Sequence, residues 1–300
     1  MFHLISVKFN IWLIIGVFVT LVIITDCHDS VYFAPSVFLN HGGGPAPILG
    51  IEDDLQIAES LRNISKIVDL KRLEAIIVVT AHREEDMVTI SSGNHHDLLY
   101  DYSNYPPQSY KFTYDAPGDP VLAGKIHEAF EKAGIPSTLD EKRGWDHGVF
   151  IPMMLINPSA DIPIIQVSIL KNQNTKQHLN IGKVLYQFRK DGVAIFGSGM
   201  SYHNMVEFRK SEKVNDGVVV NEIFDSFLNE VLTGDVDAKK EILYWDKVPQ
   251  GLDSHPPGEA DHLMPLIVNI GAGGSSPGRN IFSSVYMHKF ILSGFIWDKE

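Results

Sequence analysis

Residues 75–82 read Ala-Ile-Ile-Val-Val-Thr-Ala-His, an unbroken and mostly β-branched apolar run that ends in an ionisable ring. A run without polar alternation is typical of a strand that is buried on both faces of a sheet. His82, at the end of such a strand, needs a polar partner because an unpaired buried polar group is costly. The stretch therefore predicts a central strand with a polar site at its end.

Other segments alternate between the strand pattern and the helix pattern. Strands are predicted at 31–39, 162–170 and 193–196, a late strand or hairpin at 283–297, and helices at 53–68, 121–133, 175–190 and 218–232. A Tyr- and Pro-rich loop is predicted from Ser91 to Pro120. The alternation predicts an α/β fold, a single domain over residues 30–300 whose central, mostly parallel or mixed β-sheet is flanked by helices on both faces.

Charge and cysteine content narrow the function. The chain carries a formal net charge of −12 and has no basic run. Phosphate binding needs clustered Lys and Arg, so a nucleic-acid partner is excluded and a small molecule is favoured. Cys27 is the only cysteine, which excludes a cysteine-based zinc motif. A metal would need His, Asp or Glu ligands, and the chain has 13 histidines.

The first 29 residues differ from the rest. An apolar stretch from Ile11 to Ile24 follows Lys8 and precedes Asp26. It is shorter than the roughly 20 apolar residues of a membrane-spanning helix, and it resembles a signal peptide or signal anchor. This predicts a secretory or membrane-anchored protein, with membrane association only through this segment. A misassigned gene start is the alternative, and it would leave a cytoplasmic protein.

Three histidines follow predicted strands: His41 and His82 come at strand ends, and His203 lies just beyond another. Ligands of open α/β sheets bind beyond the carboxyl ends of the strands. We therefore expect these three rings to lie at one site. His147 lies beside Asp146, which is a candidate to hold its ring in one tautomer.

Short motifs rich in His, Gly, Asp and Pro recur over nearly the whole chain after residue 31; they are His41-Gly-Gly-Gly-Pro45, Thr80-Ala-His82, Ala116-Pro-Gly-Asp-Pro120, Asp146-His-Gly148, Gly197-Ser-Gly199 with His203-Asn204, and Asp261-His-Leu263 to Pro265. In these motifs and in their order the chain resembles a known family, the 4,5-DOPA-type extradiol ring-opening dioxygenases. These belong to the class III group that includes protocatechuate 4,5-dioxygenase.

The resemblance implies a metal site and two further active-site histidines. It implies metal ligation by His41, His82 and His262, an acid/base role for His203, and His147 beside them. Relatives in the wider group use two His and one carboxylate for Fe(II). Glu259 and Asp261 are therefore rival third ligands. One divalent ion is expected, Fe(II) for the dioxygenase reaction, with Zn(II) as the alternative because three histidines also suit zinc.

Two further residues are candidates for the substrate pocket: His96, in a His-Asp pair that resembles a family block, and Tyr114, as a contact to a substrate hydroxyl. Two departures from the family pattern flank the metal motifs. Three glycines follow His41, where His-Gly-Ser-Pro is common, and Arg83 stands where an aromatic residue is usual. A substrate preference different from DOPA is consistent with both.

The predicted function is a non-haem, metal-dependent extradiol dioxygenase that opens a catechol-type ring with O₂ to a muconic semialdehyde. One alternative is a zinc-dependent hydrolase on the same histidines, with Glu259 or Asp261 as base. The other is a catalytically inactive binding protein on this fold. The sequence leaves open which catechol is the substrate, proximal or distal cleavage, and monomer or homodimer.

Overall fold

In the computed structural model, which describes residues 32–211 and 217–300, the apolar run at 75–82 lies in a strand at the centre of the sheet. The strands are β1 Ser36–Asn40, β2 Ala75–Glu85, β3 Val88–Ser91, β4 Ser137–Asp140, β5 Ile164–Leu170, β6 Val193–Gly199, β7 Arg279–Tyr286 and β8 Phe290–Trp297. They form one sheet in the order β4-β3-β5-β2-β6-β1-β8-β7.

The sheet is mixed, with a parallel centre. Strands β5, β2, β6 and β1 are parallel neighbours, so their carboxyl ends meet at one edge. On one side β3 pairs antiparallel with β5, and on the other the hairpin of β7 and β8 adds antiparallel to β1. The predicted late hairpin and the mostly parallel or mixed sheet are confirmed.

Helices cover both faces of the sheet. The α-helices are α1 Ala46–Leu49, α2 Leu55–Ile67, α3 Pro120–Lys132, α4 His147–Ile156, α5 Thr175–Leu185, α6 Met205–Ser211, α7 Glu222–Thr233, α8 Gly251–Ser254 and α9 Met264–Ala272. Short 3-10 helices lie at Glu52–Asp54, Leu70–Arg72, Pro107–Lys111, Tyr186–Asp191 and Ala238–Lys247.

The buried side chains of the protein form two hydrophobic cores, and successive side chains of β2 belong alternately to one and the other. Ile77 and Val79 pack with α3, α5, α7 and α9, whereas Ile76 and Val78 pack with α2 and α4. All four are almost completely buried, which is why the strand has no polar alternation. The predicted α/β fold with helices on both faces is confirmed.

Some elements were not predicted. Helices α4 and α9 are buried on nearly every side, so their sequences have no amphipathic period to reveal them. The helix predicted at 175–190 changes to a 3-10 helix at Tyr186, and the one predicted at 218–232 begins at Glu222. The predicted signal segment, residues 1–29, lies outside the described residues. Within the part of the chain that is described, no helix has the length and apolarity to cross a membrane.

Three irregularities at the carboxyl edge of the sheet position the histidines. His41 follows the last residue of β1, and its N–H donates to the Gly199 carbonyl of β6. His82 lies in a bulge of β2, where the pairing with β5 shifts between Thr80 and Glu84. A Cβ on Gly199 would lie 2.1 Å from the His262 carbonyl oxygen, so only glycine allows that segment to approach β6.

His178 provides a pH-dependent contribution to stability outside this edge. Its Nδ1 bonds the Asn174 carbonyl and its Nε2 accepts the Leu170 N–H, an arrangement that only the neutral ring can make. Burial lowers its pKa to about 4. Because the folded pKa lies below the unfolded value, the neutral ring's contribution is complete above about pH 6.5 and is lost as the pH falls toward about 4.

We expect His178→Gln to flatten this pH dependence. Between about pH 7 and about pH 4.5 the wild-type protein should lose up to about 3 kcal/mol more unfolding free energy than the variant. Denaturant unfolding of both metal-free proteins at the two pH values measures the difference. The remaining buried histidines titrate in both proteins and cancel. Equal losses would show that His178 does not contribute.

Candidate metal centre

Five histidines line one open cavity of about 390 Å³ at the carboxyl edge of the sheet: His41, His82, His147, His203 and His262. They come from β1, the β2 bulge, the start of α4, and the segments after β6 and before α9. Residues separated by more than 200 positions thus meet because the parallel strands end at the same edge. The structure brings together every histidine that the sequence assigned to the metal or to catalysis.

The tautomer of His41 is fixed by a serine on β6. Its Nδ1 lies 3.0 Å from Ser198 Oγ, and that hydroxyl donates its own proton to the Gly148 carbonyl. The hydroxyl oxygen must therefore accept from His41 Nδ1–H. This leaves His41 Nε2 as a free electron pair, the form in which imidazole binds a metal.

One carboxylate connects His82 and His147. Asp101 Oδ1 accepts from the ring Nδ1 of His147 at 2.8 Å and from its backbone N–H at 2.9 Å. Asp101 Oδ2 lies 3.4 Å from Nδ1 of His82. Burial opposes ionisation of Asp101, but the hydrogen bond and charge of His147 outweigh it and lower the pKa of this carboxyl. Both rings therefore have Nδ1 directed to the same anion and Nε2 as the remaining nitrogen.

His262 is held by its neighbour in the chain and covered by His203. Its Nδ1 bonds Asp261 Oδ2 at 2.8 Å. The His203 ring stacks on it with centroids 3.4 Å apart and planes 10° from parallel. The His203 backbone N–H donates to the Ser254 carbonyl. His203 therefore lies directly against His262, inside the cavity.

The donor set fits a divalent metal. His41 Nε2 and His82 Nε2 lie 3.2 Å apart. A cation between them would use the electron pair that the Ser198 contact leaves on His41 Nε2. Imidazoles that bind one ion through nitrogens at about 2.1 Å have their centroids about 5 Å apart. The three pairs among His41, His82 and His262 measure 4.9, 5.1 and 5.0 Å.

The potential metal-ligand atoms can also be grouped by the distances between the atoms themselves, which gives two other sets. Donor atoms of His41, His82 and His147 lie within 4.8 Å of one another, as do those of His203, Asp261 and His262. The centroids of His82 and His147 are only 3.9 Å apart, closer than two rings that bind the same ion at about 2.1 Å. Ring spacing therefore favours His262 over His147 as the third ligand.

Burial keeps these rings neutral. It lowers the pKa of His82 to about 3 and that of His203 to about 4, and it moves the pKa values of His41 and His262 well below the ordinary histidine value. Repulsion between neighbouring histidines adds to the shift in His41 and His262. Near neutral pH the rings are thus available as ligands or as proton acceptors.

The acidic candidates take different places from those expected. The sequence proposed Asp146 as the partner of the His147 ring because the two are adjacent, and this is wrong. The buried Asp146 carboxylate accepts from Thr80 Oγ1 and Gln166 Nε2. The His147 ring is held by Asp101 instead. Asp261 bonds Nδ1 of His262, the ring nitrogen that is not the proposed metal ligand. Glu259 is exposed and does not line the cavity.

His96 and Tyr114 are not brought to the histidine cavity. They line a separate cavity formed by residues of the Tyr-rich loop itself. The His96 ring bonds the Arg143 carbonyl and the Gly93 N–H, and the Tyr114 hydroxyl donates to the Asn157 carbonyl. Both rings thus make internal contacts of the fold.

Several cavity residues were missed by the sequence reasoning. Tyr102, Tyr105, Tyr286 and Phe208 form aromatic walls, and Asp54 lies against the glycines after His41. Of these, only the tyrosines at 102 and 105 had a signal, since they lie in the Tyr-rich loop. Asp101, in the same loop, is 46 residues from His147 and belongs to no recognisable motif.

Comparison with known proteins defines the class. The family described as catalytic LigB subunit of aromatic ring-opening dioxygenase matches residues 37–293. Dioxygenase tasH of Hapsidospora irregularis is 40% identical over 253 residues, covering 80% of this chain and 78% of its own. A 4,5-DOPA dioxygenase extradiol of Beta vulgaris is 34% identical over 242 residues, covering 80% and 87%.

A crystal structure of an uncharacterized Escherichia coli K12 protein superposes with a TM-score of 0.70 at 26% identity, covering 88% of this chain and 99% of that one. The chain therefore belongs to the LigB family of aromatic ring-opening dioxygenases. The predicted metal-dependent extradiol dioxygenase function is confirmed at this level.

Proposed function

We propose that this protein binds one Fe(II) ion through His41, His82 and His262 and opens a catechol ring with O₂, adding both oxygen atoms to give a muconic semialdehyde. The observation that carries the proposal is the set of three rings about 5 Å apart, each with Nδ1 facing a polar partner and Nε2 as the remaining nitrogen. Relatives named 4,5-DOPA dioxygenase extradiol support a catechol as the substrate.

Iron is proposed because the reaction needs a metal that changes oxidation state while it brings catechol and O₂ together, and zinc has no redox chemistry. Three protein ligands on one side leave coordination positions for both reactants. Each proposed ligand ring has a polar partner at Nδ1, namely Ser198 for His41, Asp101 for His82 and Asp261 for His262. A partner in this position fixes the tautomer of a metal-binding imidazole and raises its basicity.

His203 is proposed as the base that removes a proton from a catechol hydroxyl. Its ring lies against His262, next to the proposed metal, and its lowered pKa keeps it neutral and able to accept a proton at pH 7. After accepting that proton it becomes the acid that returns it to the ring-opened product.

His147 is proposed to orient O₂ within the cavity. Asp101 fixes its Nδ1, which leaves Nε2 to accept or donate a hydrogen bond within the cavity. Tyr102 packs against His147, and with Tyr105 and Phe208 it gives the substrate ring an aromatic surface that excludes water.

The test is anaerobic loading with Fe(II), followed by a catechol and then O₂. We expect a yellow ring-opened product and consumption of one O₂ per catechol, with metal-free protein and Zn(II)-loaded protein as matched controls. Absence of product across a panel of catechols would contradict the proposal. Ester hydrolysis by the Zn(II)-loaded protein, without ring opening by the Fe(II) form, would contradict it in favour of a hydrolase.

A further inference from the structure

A buried carboxylate without a counter-cation borders the histidine cavity. Asp54 is 2% exposed, and its Oδ1 accepts the Gly43 N–H at 2.9 Å. Its Oδ2 lies 3.4 Å from the Tyr286 hydroxyl. Within residues 32–211 and 217–300, no Lys, Arg or His forms an ion pair with it. A buried charge in this position is costly until a cation reaches it.

Asp54 lies against the glycines that follow His41, at the proposed reaction site. A Cβ on Gly42 would lie 2.3 Å from Asp54 Oδ1, so the carboxylate packs on the residue next to His41. Around Gly43, Asp54 Oδ2 and the hydroxyls of Tyr105 and Tyr286 converge, each 3.6–3.7 Å from where a Cβ would be. Three oxygen atoms, one from Asp54 and one each from Tyr105 and Tyr286, therefore lie close together on the wall of the cavity formed by the glycines after His41.

The remaining lining has one sign of charge. Apart from the histidines, the charged side chains among the described lining residues are Asp53 and Asp54; none is Lys or Arg. The rest are tyrosines, Phe208, methionines, Ile51, Ala46 and glycines. Burial raises the pKa of Asp54 to about 6, so most of the carboxyl is ionised at pH 7.5. A substrate carboxylate at this wall would meet like charge and no described cation.

We propose that Asp54 makes this enzyme selective for catechols whose ring substituent carries an ammonium group, over uncharged catechols and, more strongly, over catechol carboxylates. The inference rests on the proposed function, because it places a catechol in the histidine cavity. Asp54 accepts the ammonium N–H, with Tyr105 and Tyr286 as neighbouring hydroxyls. Attraction and repulsion both contribute, since selectivity is a difference between affinities.

The test compares three catechols that differ mainly in charge: dopamine, 4-ethylcatechol and homoprotocatechuate. With the full chain loaded with Fe(II) at pH 7.5, we expect kcat/KM for dopamine to exceed that for 4-ethylcatechol at least about tenfold, a difference that one desolvated charge pair can supply. Homoprotocatechuate should be the poorest of the three. In Asp54→Asn, which keeps an acceptor for the Gly43 N–H, the preference for dopamine over 4-ethylcatechol should disappear.

Asp225→Asn is the matched control. Asp225 is another buried carboxylate; it accepts from Ser293 Oγ and Asn229 Nδ2 and does not line the cavity. We expect it to leave the ranking of the three catechols unchanged. Equal or inverted ranking in the wild-type protein, or a retained dopamine preference in Asp54→Asn, would overturn the proposal.

Failure of the selectivity and failure of the function are separable. If no catechol is opened, including uncharged 4-ethylcatechol, the proposed function fails. Anaerobic calorimetry of dopamine and 4-ethylcatechol binding then measures the selectivity without turnover. Tighter binding of dopamine that Asp54→Asn abolishes would support the inference, and equal binding would overturn it.

Discussion

His262→Ala is expected to abolish tight metal binding, whereas His147→Ala is expected to keep the metal and lose turnover. The reason is ring spacing: His262 completes a set of centroids near 5 Å with His41 and His82, and His147 lies too close to His82 to bind the same ion. Removing one of the three proposed ligands would leave a two-nitrogen site, and we expect metal affinity to fall by more than about 100-fold. This is a larger loss than follows from removing a residue that only orients a ligand.

Metal content after anaerobic dialysis measures this, together with the rise in melting temperature that Fe(II) produces when it binds only the folded protein. The wild-type protein and His147→Ala should retain about one ion per chain and show the temperature shift, and His262→Ala should show neither. His127→Ala is the control, since that ring bonds Ser137 on β4 and lies outside the cavity. Metal loss in His147→Ala with retention in His262→Ala would reverse the ligand assignment.

The sheet could be predicted from the sequence because its central strands are buried on both faces. The run from Ala75 to Val79 has no polar residue, and β5 has only Gln166 and Ser168 among its apolar residues, both fully buried. The histidines could be predicted for a related reason. A polar ring at the carboxyl end of a buried strand must meet the other strand ends, so His41 and His82 identify one edge of the sheet.

The partners of those histidines could not be predicted, because they depend on loop conformation. Asp101 reaches His82 and His147 only after the Tyr-rich loop folds over the edge of the sheet, and no spacing rule links them. The nearest acid in sequence, Asp146, is the wrong one. Its side chain is turned into the protein interior toward Thr80 and Gln166. Adjacency in sequence therefore misidentified the partner that tertiary contacts provide.

The two departures from the family pattern have different consequences. Arg83 is 1% exposed and donates to Asp140 Oδ2 at 2.5 Å, and it does not line the histidine cavity. Its place beside His82 therefore gives it no contact with the substrate wall. The glycines after His41 do form that wall: a Cβ on Gly44 would lie 3.3 Å from Tyr102 and Tyr105. Of the two, only the glycine segment is placed to affect substrate preference.

Asp101→Asn is expected to lower both metal affinity and turnover, each by about 10–100-fold, the range found when a partner that orients a metal-bound histidine is removed. The carboxylate accepts from two N–H groups of His147, and its other oxygen lies 3.4 Å from Nδ1 of His82. An asparagine of the same shape has only one acceptor oxygen, and its NH₂ would oppose an imidazole N–H. One of the two rings must then change tautomer or turn.

Two measurements separate this positioning role from a general loss of stability. Competition with a chelator gives the metal affinity, and the pH profile of kcat under saturating Fe(II) reports the protonation of the active-site rings. Asp101→Asn should shift that profile, because it removes the Asp101 charge that partly offsets the lowering of the His82 pKa by burial. Asp97 is an exposed carboxylate in the same loop and, among the described residues, its ion pair is with exposed His95; Asp97→Asn should shift neither quantity. If Asp101→Asn melts at a lower temperature but keeps the wild-type metal affinity and pH profile, Asp101 supports the loop alone and the shared orientation of His82 and His147 is refuted.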